Sequence, residues 1–129
     1  MGSFADALKA FEVKATGLAD EVVRETVLEI GRRVIDRSPI KTGRFKSNWR
    51  YGLETRDAFT TTKTDERYLH NVEELPKGAA GFVHFVSNAL PYGPSLERGS
   101  SAQAPQGIVG LTVLEWDQIV AEAVLKVAR

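Results

Sequence analysis

Between positions 18 and 34, apolar residues return at steps of three and four. Leu18, Val22, Val23, Val27, Ile30 and Val34 share one stripe, and Asp20, Glu21, Arg24, Glu25 and Arg32 lie opposite. That spacing predicts an amphipathic helix, which we place over residues 4–37. Gly17 separates a weaker segment, Phe4 to Lys14, from the main stripe. A glycine inside a helix costs ~1 kcal/mol, so we expect one long helix with a soft spot. Ser38-Pro39 ends it, because proline disfavours helical backbone at the residue before it and donates no hydrogen bond.

Lys41-Thr42-Gly43 reads as a turn, after which Phe45, Trp49 and Tyr51 among polar neighbours predict a half-buried strand over 45–53. The threonine-bearing stretch 54–63 either extends that strand or forms a partner. Tyr68, Leu69, Val72 and Leu75 stand at helical spacing and predict a short helix within 64–75, closed by Pro76-Lys77-Gly78. From Gly81 to Asn88 the chain alternates, and both faces are largely apolar, which predicts a strand central in its sheet. Pro91 to Glu97 reads as a short helix or turn, and 98–104 as a polar loop. Pro105 suits the first turn of a final helix over 105–129. Ile108, Leu111, Trp116, Ile119, Val120, Ala123 and Val127 form that helix's apolar face. The expectation is a single α+β domain over 1–129: a small mixed or antiparallel sheet packed by a long N-terminal and a C-terminal helix.

Composition narrows the function. With 129 residues, 43% apolar and 26% charged, the chain reads as one compact domain rather than a disordered one. It holds no cysteine, which excludes a disulfide scaffold, a cysteine nucleophile, a zinc finger and an iron–sulfur cluster. No apolar run approaches the ~20 residues that cross a bilayer, and the first residues lack a signal-peptide core, so we expect a soluble, unexported protein without a membrane partner.

Candidate catalytic chemistry is sparse. The two histidines, His70 and His84, have no metal-ligating partner at motif spacing, and no GxSxG elbow accompanies His84, which we therefore read as structural. Asp65-Glu66, Glu73-Glu74 and Glu115 with Asp117 read as solvated helix faces, and the expected strands carry no acidic residue to hold magnesium. Glycine-rich phosphate loops are absent. We expect no enzyme, no cofactor and no metal. Trp49, Tyr51, Tyr92 and Trp116 read as core or interface anchors rather than stacking platforms for nucleic acid.

Charge is uneven despite a formal total of zero. Residues 32–50 hold seven basic residues (Arg32, Arg33, Arg37, Lys41, Arg44, Lys46 and Arg50) and one acid, Asp36, a net of +6 that the remainder offsets. One end of the molecule should be positive. Two readings stand: a surface for an acidic partner or passing DNA, and a solvated helix end where cations complement the dipole.

Two long segments carry a resemblance. Ser38-Pro39-Ile40-Lys41-Thr42-Gly43-Arg44 running to Trp49 resembles the SPxxTGRxxxxW stretch of a neck or tail-completion family of long-tailed bacteriophages. Ser87-Asn88, Pro91-Tyr92, Leu96-Glu97, Gly99-Ser100 and Gln103-Ala104-Pro105-Gln106-Gly107 are similar to that family's SNxxPYAxxLExGxSxQAPxG signature. Gly93-Pro94 and Arg98 depart from it. The resemblance implies a non-enzymatic virion protein at the head-to-tail junction, assembled in the host cytoplasm. It implies a homo-oligomeric ring, sixfold or twelvefold, around DNA that passes without sequence specificity. Head-completion, tail-terminator or tail-tube proteins would be its neighbours. A tail terminator capping the tube, and a DNA-binding module using the 32–50 segment, are the alternatives. Candidate assembly or DNA-facing residues are Arg37, Lys41, Thr42, Gly43, Arg44, Lys46, Trp49, Pro91, Tyr92, Glu97, Gly99, Gln103 and Pro105. Fold maintenance is the other reading of the glycine turn and the proline.

Overall fold

The computed structural model describes residues 3–40 and 43–128, and it has the α+β architecture expected. The first element, α1, runs unbroken through Gly17 from Ser3 to Arg37. Its stripe is buried only in its second half, at Val27, Val34 and Ile35, and residues 3–19 are exposed throughout. Strand β1 spans Trp49–Leu53 and β2 spans His84–Asn88. The two pair antiparallel, with Trp49 opposite Asn88 and Leu53 opposite His84. Three helices follow: α2 (Gly93–Glu97), α3 (Val109–Leu114) and α4 (Trp116–Val127). Among the described residues no helix is long and apolar enough to cross a membrane.

Side chains from α1, β1, the 69–79 segment and the 90–108 segment share one core. Val34, Trp49, Tyr51, Leu69, Leu90 and Ile108 are among its buried members. Ile119 and Ala123 of α4 are buried as well. Helix α4 runs antiparallel to α1, which sets Lys126 Nζ 3.2 Å from Glu25 and Glu122 3.1 Å from Arg33.

The centre of the fold is a relay of two hydrogen bonds. The Trp49 indole Nε1 donates to Ser38 Oγ at 2.7 Å, and Ser38 Oγ donates to the Val34 carbonyl at 2.6 Å. Trp49 is 3% exposed, so its N–H has no water to turn to. The relay pins the start of β1 to the last turn of α1. Tyr51, fully buried, donates its hydroxyl to His84 Nδ1 at 2.6 Å across the sheet, because His84 Nε2 already donates to the Ala79 carbonyl at 2.7 Å. The Ala79 carbonyl requires a proton on Nε2, and both ring nitrogens are engaged inside the fold, as a structural histidine's would be. Burial, with Glu74 nearby, holds the Tyr51 hydroxyl above its ordinary pKa.

Several boundaries differ from expectation, each for a local reason. Lys46–Asn48 forms a 3₁₀ turn instead of the first half of a strand, because Asn48 bonds to the Arg44 and Thr61 backbone and pulls the chain around. Residues 54–63 form a loop rather than a strand. The expected helix at 64–75 is replaced by an extended pass and one 3₁₀ turn, Val72–Glu74. There His70 bridges β1, accepting from the Tyr51 amide at 2.8 Å and donating to the Trp49 carbonyl at 3.0 Å. Leu69 packs against the bare backbone of Gly31, where an added Cβ would sit 2.9 Å from it. These tertiary contacts override helical spacing. Among the described residues the sheet has two strands, so β2 is not central: it lies at an edge with Val83 and Phe85 exposed beside and within it, and β1 gains one bridge on its other side, to His70. The expected final helix starts four residues late, leaving Pro105 in the loop, and breaks at Glu115.

Replacing Ser38 by Ala leaves the buried Trp49 N–H without an acceptor and should cost ~1–3 kcal/mol. Trp49→Ala should cost ~3–5 kcal/mol by opening a cavity. Urea unfolding measures both, and a Ser38→Ala midpoint equal to wild type would contradict the relay's importance.

Candidate functional site

The segments 38–49 and 87–107 lie far apart in sequence and form one block in the structure. Gln103 joins them with a side-chain amide that copies a backbone pair. Its Oε1 accepts from the Ile40 N–H at 2.8 Å and its Nε2 donates to the Ile40 carbonyl at 3.1 Å. Asn88 Nδ2 donates to the Phe45 carbonyl at 2.8 Å. The Phe45 ring meets Trp49 edge-on at 5.7 Å between centroids and Tyr92 at 5.8 Å. Between the segments lies a groove of 890 Å³ lined by Pro39, Ile40, Arg44, Phe45, Tyr92 and Gln103, among others.

Most candidate residues hold this block together. Glu97 accepts from the backbone N–H groups of Ile108 (3.1 Å), Val109 (2.8 Å) and Gly110 (2.8 Å), and so caps α3 from a distance. Burial pushes its pKa up, but the three backbone hydrogen bonds outweigh that and hold it below its ordinary value. Gly43 and Gly99 both lie in the left-handed region, at φ 89° and 87°. A Cβ on Gly43 would strike the Thr64 carbonyl at 2.2 Å, and one on Gly99 the Pro105 carbonyl at 2.3 Å. Pro105, itself exposed, therefore presses on Gly99 rather than opening a helix. Trp49 belongs to the core relay. Pro91 and Tyr92 are exposed, Tyr92 at 42%, with one face of its ring on Phe45. Lys41 and Thr42 lie outside the described residues.

The basic stretch is not the open positive end that the sequence suggests. Arg33 meets Glu29 at 2.7 Å, Glu115 at 2.9 Å and Glu122 at 3.1 Å. Arg37 meets Glu115 at 2.6 Å and donates to Thr112 Oγ1 at 2.9 Å. Arg32 pairs with Glu29, and Arg50 lies 3.6 Å from Asp57. Carboxylates outside the stretch, at Glu29, Asp57, Glu115 and Glu122, thus pair with four of its seven cations. Arg44 donates from Nε to the Thr61 carbonyl at 3.1 Å, which ties it to the 54–63 loop. Lys46 is partly exposed.

Glu115, expected on a solvated helix face, is instead the anion between α1 and the α3–α4 junction. Hydrogen bonds from Arg37 and then Arg33 lower its pKa from 4.5 to about 2. Sequence alone missed this pairing, since 78 residues separate Arg37 from Glu115. Among the described residues no group of three or more histidine, aspartate and glutamate side chains is placed to hold a metal ion.

The sign of the pH effect follows from those directions. Folded Glu115 titrates below its ordinary 4.5, so its contribution is complete above that pH and is lost as pH falls toward about 2. Glu97 acts in the same direction. Urea midpoints followed downward from pH 5 should fall more steeply for wild type than for Glu115→Gln, and parallel curves would contradict the ion-pair assignment.

Comparison of the chain with known protein families, with characterised proteins and with solved structures yields no match.

Proposed function

We propose that the chain is a non-enzymatic structural subunit of a phage head-to-tail junction, a neck or tail-completion protein that assembles as a ring around the DNA passage. The supporting observation is that the two segments resembling that family's motifs meet in space through Gln103–Ile40, Asn88–Phe45 and Phe45–Tyr92. The motif residues behave as parts of one built unit. Their spacing has physical reasons: Ser38 must reach the Trp49 indole, Glu97 the start of α3, and Gln103 the Ile40 backbone.

Large apolar side chains left in solvent point the same way. Phe4, Phe11, Phe59, Val83 and Leu114 are all more than half exposed. In this reading Lys46 faces DNA in the lumen or the acidic rim of a neighbouring ring, and the cell delivers the protein to the virion through assembly in the host cytoplasm.

Native mass measured across concentration, with negative-stain imaging, tests the reading. A closed sixfold or twelvefold ring is the expected result, and a strict monomer at every concentration would overturn it. In particles, Lys46→Glu should lower the yield of joined, infectious virions while the purified protein keeps its wild-type unfolding midpoint. Wild-type infectivity would contradict the lumen-facing role of that residue.

A further inference from the structure

The first half of α1 stands away from the body. Residues 3–19 are exposed throughout, and the first tertiary hydrogen bond along the helix is made by Asp20, which accepts from the Ala80 amide at 2.8 Å. At 1.5 Å per residue this arm is about 25 Å long. Its apolar residues recur at alternating steps of four and three: Phe4, Leu8, Phe11, Ala15, Leu18 and then Val22. That is the spacing of a helix that packs along a single seam. Phe4 is 76% exposed, Phe11 71%, Leu8 53% and Leu18 41%.

The seam runs into an apolar groove of 490 Å³ on the body. Val22, Val23 and Ile30 of α1, Val86 of β2, and Trp116 and Val120 of α4 form its walls, with Thr26 and His84 its polar members. Trp116 is 51% exposed there, although the sequence pattern places it on the buried face of its helix. The arm of the same chain cannot fill this groove while α1 is continuous, because arm and groove wall belong to one helix.

We infer that the arm packs its Phe4–Leu8–Phe11–Leu18 seam into the Val22–Trp116–Val120 groove of a second copy of this chain. The area fits. At ~200 Å² per large apolar side chain, the four exposures amount to on the order of 500 Å². An ordinary interface of ~800 Å² per partner is a little over half non-polar, or roughly 450 Å². The geometry also favours arm-to-groove over arm-to-arm pairing. Two arms laid antiparallel with Leu8 against Leu18 set Glu12 beside Glu12 and Lys14 beside Lys14. Arm-to-arm pairing is moreover self-complementary and stops at two copies, whereas arm and groove are different surfaces and can close a ring. This last step rests on the ring reading above.

The chain's lack of cysteine makes the test clean. A Leu8→Cys chain mixed with a Val120→Cys chain should give a disulfide-linked dimer of the two on mild oxidation. Cross-linking confined to Leu8→Cys with itself, or none, would overturn the assignment. Phe4→Asp with Phe11→Asp touches only exposed positions, so the unfolding midpoint should stay at the wild-type value while the native mass falls to that of a monomer. If the double variant still forms the wild-type assembly, the arm inference fails and the ring reading survives. If the wild-type protein is itself monomeric at every concentration, both fail.

Discussion

A tryptophan N–H that must find an acceptor out of reach of water organises this fold. Trp49 sits at the start of β1, and its acceptor, Ser38, sits just past the end of α1. Ser38 passes the bond on to the Val34 carbonyl in the last turn of the helix. One relay therefore satisfies the indole, terminates the helix and fixes the direction in which the chain leaves it. The Phe45 ring packs edge-on against that same Trp49, and Tyr92 docks on Phe45 in turn.

The second constraint is electrostatic and joins the opposite side of α1 to the C-terminal helices. Glu115 receives both Arg33 and Arg37 where α3 gives way to α4. The junction residue has a φ of −94° and ψ of 9°, outside the α region, and no glycine or proline explains the break. The result is a chain whose formal neutrality is realised locally. Cations concentrated in residues 32–50 meet anions drawn from residues 29, 57, 115 and 122, so the electrostatic surface is much flatter than the linear charge pattern.

Elements that depend on local pattern were legible in the sequence. The stripe from Leu18 to Val34 marks α1, Ser38-Pro39 its end, and the alternation from Gly81 to Asn88 a strand, of which the structure keeps His84–Asn88. What could not be read is what distant partners decide. Tyr68, Leu69, Val72 and Leu75 carry helical spacing, yet the open backbone of Gly31 and the free edge of β1 draw Leu69 and His70 into an extended path. Glu115 looks like any solvated helical acid until Arg37 is placed beside it. Of the candidate residues, Glu97, Gly99 and Gln103 stand out in the sequence as motif positions, but their roles as cap, close-approach glycine and backbone clamp appear only once their partners are in place. The arm was half legible: the Phe4 to Lys14 stretch reads as a helix, whereas its isolation from the core depends on which distant segments pack against α1.

The molecule thus divides into a block whose polar contacts are spent internally and an apolar arm whose contacts are not. Native-state hydrogen exchange followed across protein concentration tests that division most directly. The account predicts slow exchange at the Tyr51 amide and at Ile108–Gly110 at every concentration, and arm amides over residues 4–18 that gain protection only as copies associate. Rapid exchange throughout the 38–49 and 97–110 segments, or arm amides equally protected in the dilute monomer, would contradict it.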